Sequence, residues 1–133
     1  MARYEHIPIF KAAMDLGVYL EGMVHNFSRY HKYTTGQELR NLGREIIKLI
    51  IRANSARDKQ SILSELVIQC EMLKTMLFFA KESGAIQSFK AFQHASSLAV
   101  VLCRQSEGWL KNSRKGRNHQ PSESEKEGQV SEP

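Results

Sequence analysis

Four basic residues recur at every fourth position of one segment: Arg40, Arg44, Lys48 and Arg52. Residues four apart lie on one side of a helix, so this spacing predicts a row of cations of a single sign. Such like-charge pairs repel by about 0.2–0.5 kcal/mol each, and a solubilising face normally mixes both signs. Arginine predominates, and its planar guanidinium suits phosphate or carboxylate oxygens. The row predicts a contact with phosphates or an acidic protein surface; the alternative is a solvated face.

The net charge of the chain has a local source. Residues 29–59 contain eight Lys or Arg residues against three Asp or Glu residues, which equals the net charge of +5 of all 133 residues. The remainder of the chain is therefore balanced. Localised positive charge indicates an anionic partner, which is nucleic acid, an acidic protein surface or an anionic membrane.

No catalytic motif accompanies this charge. The sequence contains no Walker loop, GxSxG, HExxH or Rossmann glycine pattern. An arginine followed by a histidine at the spacing of some helical ribonucleases occurs only as Arg114 and His119, in a segment that we expect to be disordered. None of the histidines is spaced with Cys, Asp or Glu as a metal site requires: His6, His25, His31, His94 and His119. We predict a protein that is not an enzyme and has neither metal nor cofactor.

The two cysteines, Cys70 and Cys103, lack a CxxC or Cys/His spacing. We expect both to be reduced and buried, where a thiol behaves as a small hydrophobic group. No segment has the apolar length of a membrane span, and the N-terminus lacks a signal-peptide layout. These features predict a cytoplasmic protein.

Proline, glycine and hydrophobic periodicity divide the chain into four predicted helices, over about 8–30, 35–54, 58–83 and 88–112. Their short connections predict an all-α, antiparallel up-down-up-down four-helix bundle over residues 1–112. Residues 113–133 are polar and almost free of apolar side chains, so we predict a disordered tail. The expected helix ends are a capping box of Thr35 with Glu38, and Gly84 after the third helix.

Each of the four predicted helices has an apolar stripe that is expected to face the core. The predicted core positions are Ile9, Ala13, Leu16, Leu20, Met23, Val24 and Phe27; Leu39, Leu42, Ile46, Leu49, Ile50 and Ala53; Ile62, Leu66, Cys70, Leu73, Leu77 and Ala80; and Phe89, Phe92, Ala99, Val100, Cys103 and Leu110.

Further apolar residues lie away from these stripes on the third and fourth helices. An additional exposed stripe would form a large apolar patch, and such patches mark interfaces. Self-association is the simplest explanation, whereas one wide stripe covered by neighbouring helices is the alternative. The predicted oligomer interface comprises Ala91, Ala95, Leu98, Leu102, Trp109, Ile68, Met72 and Phe79.

Several segments together resemble a known family. "HKYTTGQELRNLGREIIKLIIRAN", "EMLKTMLFFAKE" and "EGWLKNSRK" resemble Avd, the accessory variability determinant of diversity-generating retroelements. "IPIFKAAMDL" is similar to the opening of the related four-helix-bundle proteins found as insertions in 23S ribosomal RNA genes. The resemblance covers about residues 4–115 and lies in the pattern of hydrophobic and charged residues.

This resemblance implies a small, basic four-helix bundle that assembles into a homopentameric barrel. It implies association with the reverse transcriptase and template RNA of the element, and support of mutagenic cDNA synthesis (retrohoming) without chemistry by the accessory protein. Carried over by position, the cation row is the expected contact with RNA or polymerase, and Lys74 and Lys81 are weaker candidates. The resemblance does not cover the predicted tail.

Three other functions remain open from the sequence. One is a standalone RNA-binding bundle of the 23S ribosomal RNA insertion type, without a polymerase partner. Another is an RNA-cleaving bundle of the toxin class, which would need the Arg114 and His119 pair. A membrane-surface role is the least favoured, because the helices have core-type stripes and their aromatic residues are not arranged for an interfacial helix.

Overall fold

Four long helices and one short helix make up most of the computed structural model, which describes residues 7–119, with side chains described through Arg114. No strand occurs within these residues, and the all-α prediction is confirmed. The elements are α1 (Pro8–His25), α2 (Arg29–Lys32), α3 (Thr35–Ser55), α4 (Gln60–Glu82) and α5 (Phe89–His119).

The four long helices close into a bundle. α1 packs against α3 and α5, and α4 packs against the same two helices. Consequently α1 and α4 lie on one diagonal of the bundle, and α3 and α5 lie on the other. Each long helix therefore buries an arc that faces two neighbours, and exposes the opposite side to solvent.

The stripes predicted for α1 and α3 are confirmed, since every one of those residues is buried. In α4 the prediction is shifted at one position. Leu63 is fully buried whereas Ile62 is only partly buried against the core. The remaining α4 stripe, from Leu66 to Ala80, is buried as predicted.

Two of the α5 residues that were predicted to lie in the oligomer interface are buried inside the subunit, so the prediction is wrong for them. Ala95 is 0% exposed and Leu102 is 1% exposed, so neither is available to a second copy. Ala91, Leu98 and Trp109 pack against the core while partly buried. The reason is that α5 faces both α1 and α4, so its two apolar stripes are flanks of one wide buried arc.

One residue of the first α5 stripe is also misplaced. Phe89 is 60% exposed, because it lies at the first position of the helix, where the arc towards α4 ends. Ala99, Cys103 and Leu110 of that stripe are buried, Phe92 packs against the core while partly buried, and Val100 is partly buried.

The helix ends match the sequence in some places and differ in others. Thr35 is the first residue of α3, and no side chain caps that helix, so the capping box does not form. Instead, the Thr34 hydroxyl donates to the Tyr30 carbonyl at 2.8 Å. The C-terminus of α4 has the predicted glycine: Gly84 has φ of 88°, and the Ala85 amide donates to the Ala80 carbonyl at 2.9 Å.

Two helices differ in length from the prediction. The first ends at His25, and α2 follows as a separate turn. The last continues through His119, so residues 113–119, which were predicted to be disordered, are helical. The rest of the predicted tail, residues 120–133, lies outside the described residues.

α1 and α3 approach each other closely through two glycines. A Cβ atom on Gly43 would lie 3.2 Å from Leu20 Cδ1 and 3.8 Å from the Cα of Gly17. Glycine at both positions therefore allows the two backbones to pack with little side chain between them. This approach brings the outer edge of α1, including Glu21, beside the predicted cation row.

Candidate functional site

Arg40, Arg44, Lys48 and Arg52, hereafter the α3 row, follow the outer surface of α3. Three of the four are exposed, and the Arg40 side chain is 25% exposed. Each step of four residues advances about 40° around the helix, so the row turns from the α1 side towards the α4 side. The buried positions of α3 lie opposite, as predicted from the spacing.

Glu21 of α1 partly neutralises one end of the α3 row. Its Oε2 atom lies 2.9 Å from Arg44 Nη2, within hydrogen-bond distance. Its Oε1 atom lies 3.7 Å from Arg40 Nε, which is an ion pair without a hydrogen bond. The Arg40 Nε atom is buried and has no hydrogen-bond acceptor among the described residues. One carboxylate therefore serves two arginines.

The other end of the α3 row has no carboxylate partner among the described side chains. Within residues 7–114, neither Lys48 nor Arg52 forms an ion pair with a carboxylate. Both side chains are exposed. The row thus offers two uncompensated cations beside two arginines that share one counter-ion, and its net charge remains positive.

Lys59, counted among the local cations in the sequence, has a structural role. Its ammonium group donates to the carbonyls of Ala53, Asn54 and Ala56 at 2.9, 3.4 and 2.8 Å. These carbonyls lie at the C-terminal end of α3, where the helix dipole favours a cation. Lys59 therefore stabilises the end of α3 and is occupied by the protein itself.

Lys74 and Lys81 lie on the α4 side that faces α5, and the structure does not bring them to the α3 row. Lys74 Nζ lies 3.3 Å from Glu71 Oε1, and the hydrogen bond to Glu71 and then its charge raise the pKa of Lys74. Lys81 Nζ lies 3.2 Å from Glu82 Oε2, and is 5.5 Å from the centre of the Phe92 ring. Both cations have acidic neighbours.

Exposed apolar side chains occupy the outer sides of the other two helices. On α4, Ile68, Met72 and Phe79 are 53%, 45% and 52% exposed, and their spacing puts them in one row, hereafter the α4 apolar face. On α1, Met14 and Val18 are 39% and 66% exposed. Because α1 and α4 are diagonal in the bundle, these two apolar surfaces face opposite directions.

α5 carries further cations that the sequence reasoning missed. Lys90, Arg104, Lys111 and Arg114 are all exposed. They were overlooked because the charge was summed over the whole chain outside residues 29–59, where eleven Lys or Arg residues and eleven Asp or Glu residues cancel. A sum over the fourth helix alone would have shown them.

The Arg114 and His119 pair lies in a helix rather than in the predicted disordered tail. Five residues correspond to about 140° around a helix, so the two positions are on different sides. A shared ribonuclease site in one subunit is therefore not supported. No group of three His, Cys, Asp or Glu residues within the described part of the chain is placed to hold a metal ion.

A closed bundle of four helices with an outward cation row on α3 is the architecture of a small helical binding protein. The family model described as bAvd-like matches residues 9–113, which is most of the chain, so the chain belongs to the bAvd-like family. The resemblance found in the sequence is confirmed. Comparisons with curated proteins and with solved structures each gave no match.

Membership in the bAvd-like family indicates, in general terms, an accessory and non-catalytic protein associated with components of a diversity-generating retroelement. Among the described residues, no helix is long and apolar enough to cross a membrane.

Proposed function

We propose that this protein binds the reverse transcriptase and the template RNA of a diversity-generating retroelement and supports mutagenic retrohoming in the cytoplasm. The observation that carries the proposal is the α3 row, in which Lys48 and Arg52 are exposed and form no ion pair within residues 7–119. The match to the bAvd-like family supports the retroelement context.

The proposed contact is with the phosphate backbone of the nucleic acid. Arginine and lysine on a helix surface neutralise phosphates and release counterions, which gives affinity without base recognition. Lys48 and Arg52 would bind phosphates more readily than Arg40 and Arg44, because a phosphate must displace Glu21 from those two arginines. Lys74 and Lys81 would contribute less, because each already has a carboxylate within 3.5 Å.

A homopentamer would repeat this row around a ring. The α4 apolar face and the Met14 and Val18 surface of α1 are two different surfaces of the subunit, as a head-to-tail interface requires. The number five follows from the resemblance to Avd. Repetition of a weak phosphate contact in one assembly increases the overall affinity through multivalency.

The test replaces Arg40, Arg44, Lys48 and Arg52 by glutamine together. The matched control replaces Lys11, Lys74 and Lys81, whose ammonium groups are already paired with Asp15, Glu71 and Glu82.

Circular dichroism establishes that both variants are folded. Gel shift with structured RNA and co-purification with the reverse transcriptase then measure binding. We expect the row variant to lose most binding to RNA or polymerase, while the control retains it. A folded row variant that binds both partners as wild type does would contradict the proposal.

The interface is tested by Phe79→Asp, which places a charge in the α4 apolar face without touching the core. We expect light scattering to show a single pentameric mass for the wild type and a monomeric mass for the variant. Val18→Asp in the exposed apolar surface of α1 tests the other side of the interface. A monomeric wild type would refute the assembly.

A further inference from the structure

The outer side of α5 carries a second row of cations. Lys90, Arg104 and Lys111, hereafter the α5 row, are separated by multiples of seven residues and are all exposed. Seven residues advance a helix by nearly two turns, so the three lie within about 60° of one another over roughly 32 Å. Arg114 lies near the Lys111 end of the row.

Among the described side chains, the α5 row is less compensated than the α3 row. Within residues 7–114, none of its three cations forms an ion pair, whereas Arg40 and Arg44 share Glu21. The single acidic residue of α5, Glu107, lies between Arg104 and Lys111 in the chain but is in an ion pair with neither. Exposed Gln93 and Ser97 occupy the same side.

The two cation rows face opposite directions. α3 and α5 lie on one diagonal of the bundle, and the two exposed apolar surfaces, on α1 and α4, lie on the other. Copies that associate through the apolar diagonal leave both cationic helices uncovered. The α3 row and the α5 row would then lie on opposite walls of the assembly.

We infer that the α5 row is a second binding site for the phosphate backbone of a nucleic acid, so that the protein holds two nucleic-acid segments at once, one on each wall. The inference rests on the proposed binding of RNA by the α3 row, and adds a second site to it. Long cationic side chains interspersed with amide and hydroxyl groups suit phosphate oxygens without reading sequence.

A sandwich measurement tests this. A short single-stranded RNA is fixed to a sensor surface, the full-length protein is loaded and washed, and a second, non-complementary RNA is then injected. The variant is K90Q/R104Q/K111Q. The control is K11Q, which removes a positive charge from a lysine that already has a carboxylate partner and lies outside both cation rows.

We expect the wild type and the control to capture the second RNA, and the α5 variant to bind the first RNA but lose most capture of the second. The salt dependence of total binding should also fall, by about 2 in the slope of log K against log salt for three lost phosphate contacts. The glutamine variant of the α3 row should still bind one RNA through α5.

Several α3 rows in one pentamer could hold both RNAs, so the α3 variant decides. Loss of all RNA binding by the folded α3 variant, together with wild-type capture by the folded α5 variant, would overturn the inference while leaving the proposed function intact. A wild type that binds the first RNA but captures no second one would also overturn it. A wild type that binds no RNA would refute both. An α5 variant that loses only the reverse transcriptase would assign the row to an acidic protein surface, and so would overturn the nucleic-acid site.

Discussion

Replacing Glu21 by glutamine should strengthen RNA binding by the α3 row. Glu21 places one carboxylate 2.9 Å from Arg44 and 3.7 Å from Arg40, and a phosphate must displace it to reach both guanidinium groups. Glutamine keeps the size of the side chain and removes the charge. The change therefore isolates competition between the protein's own carboxylate and the phosphate.

The expected magnitude follows from the exposure of the pair. Glu21 and Arg44 have side chains that are 44% and 53% exposed, so solvent screens their attraction. Such pairs contribute about 0.2–1 kcal/mol, which corresponds to an affinity gain of about 1.4- to fivefold. The protein should lose no more than about 1 kcal/mol of stability, a fall in Tm of about 4 °C or less.

Fluorescence anisotropy with a labelled RNA at two salt concentrations measures the effect. Glu38→Gln is the control, because it removes the same charge from an exposed residue that forms no ion pair within residues 7–119. The gain for Glu21→Gln should exceed that for Glu38→Gln and shrink at high salt. An unchanged or weaker affinity would show that Glu21 holds the arginines in place for binding, contrary to this reasoning.

Three further predictions concern stability. Gly36→Ala should lower Tm, because a Cβ atom there would lie 2.6 Å from the buried Val24 side chain. The control Gly22→Ala should leave Tm equal or higher, because a Cβ atom there would have no neighbouring atom within 4 Å. Burial raises the pKa of Cys70 from 9.0 to about 12 and that of Cys103 to about 11. Unfolded thiols ionise first, so urea titrations should show stability falling as pH rises above 9. Lys59→Met should lower Tm by removing three hydrogen bonds to carbonyls at the end of α3; an unchanged Tm would argue against that cap.

Much of the architecture was predictable from the sequence because it depends on local periodicity. The α1 and α3 stripes repeat at helical spacing, and each helix buries the side that its stripe marks. Gly84 marks the end of α4, because a residue with positive φ is needed there. The position of the α3 row opposite the buried side follows from the same spacing.

The two stripes of α5 show why periodicity was insufficient for the remainder. Ala95 and Leu102 were predicted to be exposed because one stripe per helix was assumed, but α5 packs against two neighbours. The width of a buried arc depends on how many helices surround it, which a single helix does not encode. The same holds for Phe89, whose exposure is set by where its neighbour ends.

The sequence by itself determined the presence and approximate extent of the four long helices, which side of α1 and α3 is buried, and that cations recur along α3. Only the tertiary structure decided which of those cations pair with Glu21. Glu21 is nineteen positions from Arg40 in the chain and meets it because Gly17 and Gly43 let α1 and α3 pack closely. Charge pairing between helices depends on distances of a few ångströms across their interface. The spacing of residues along one helix does not specify those distances.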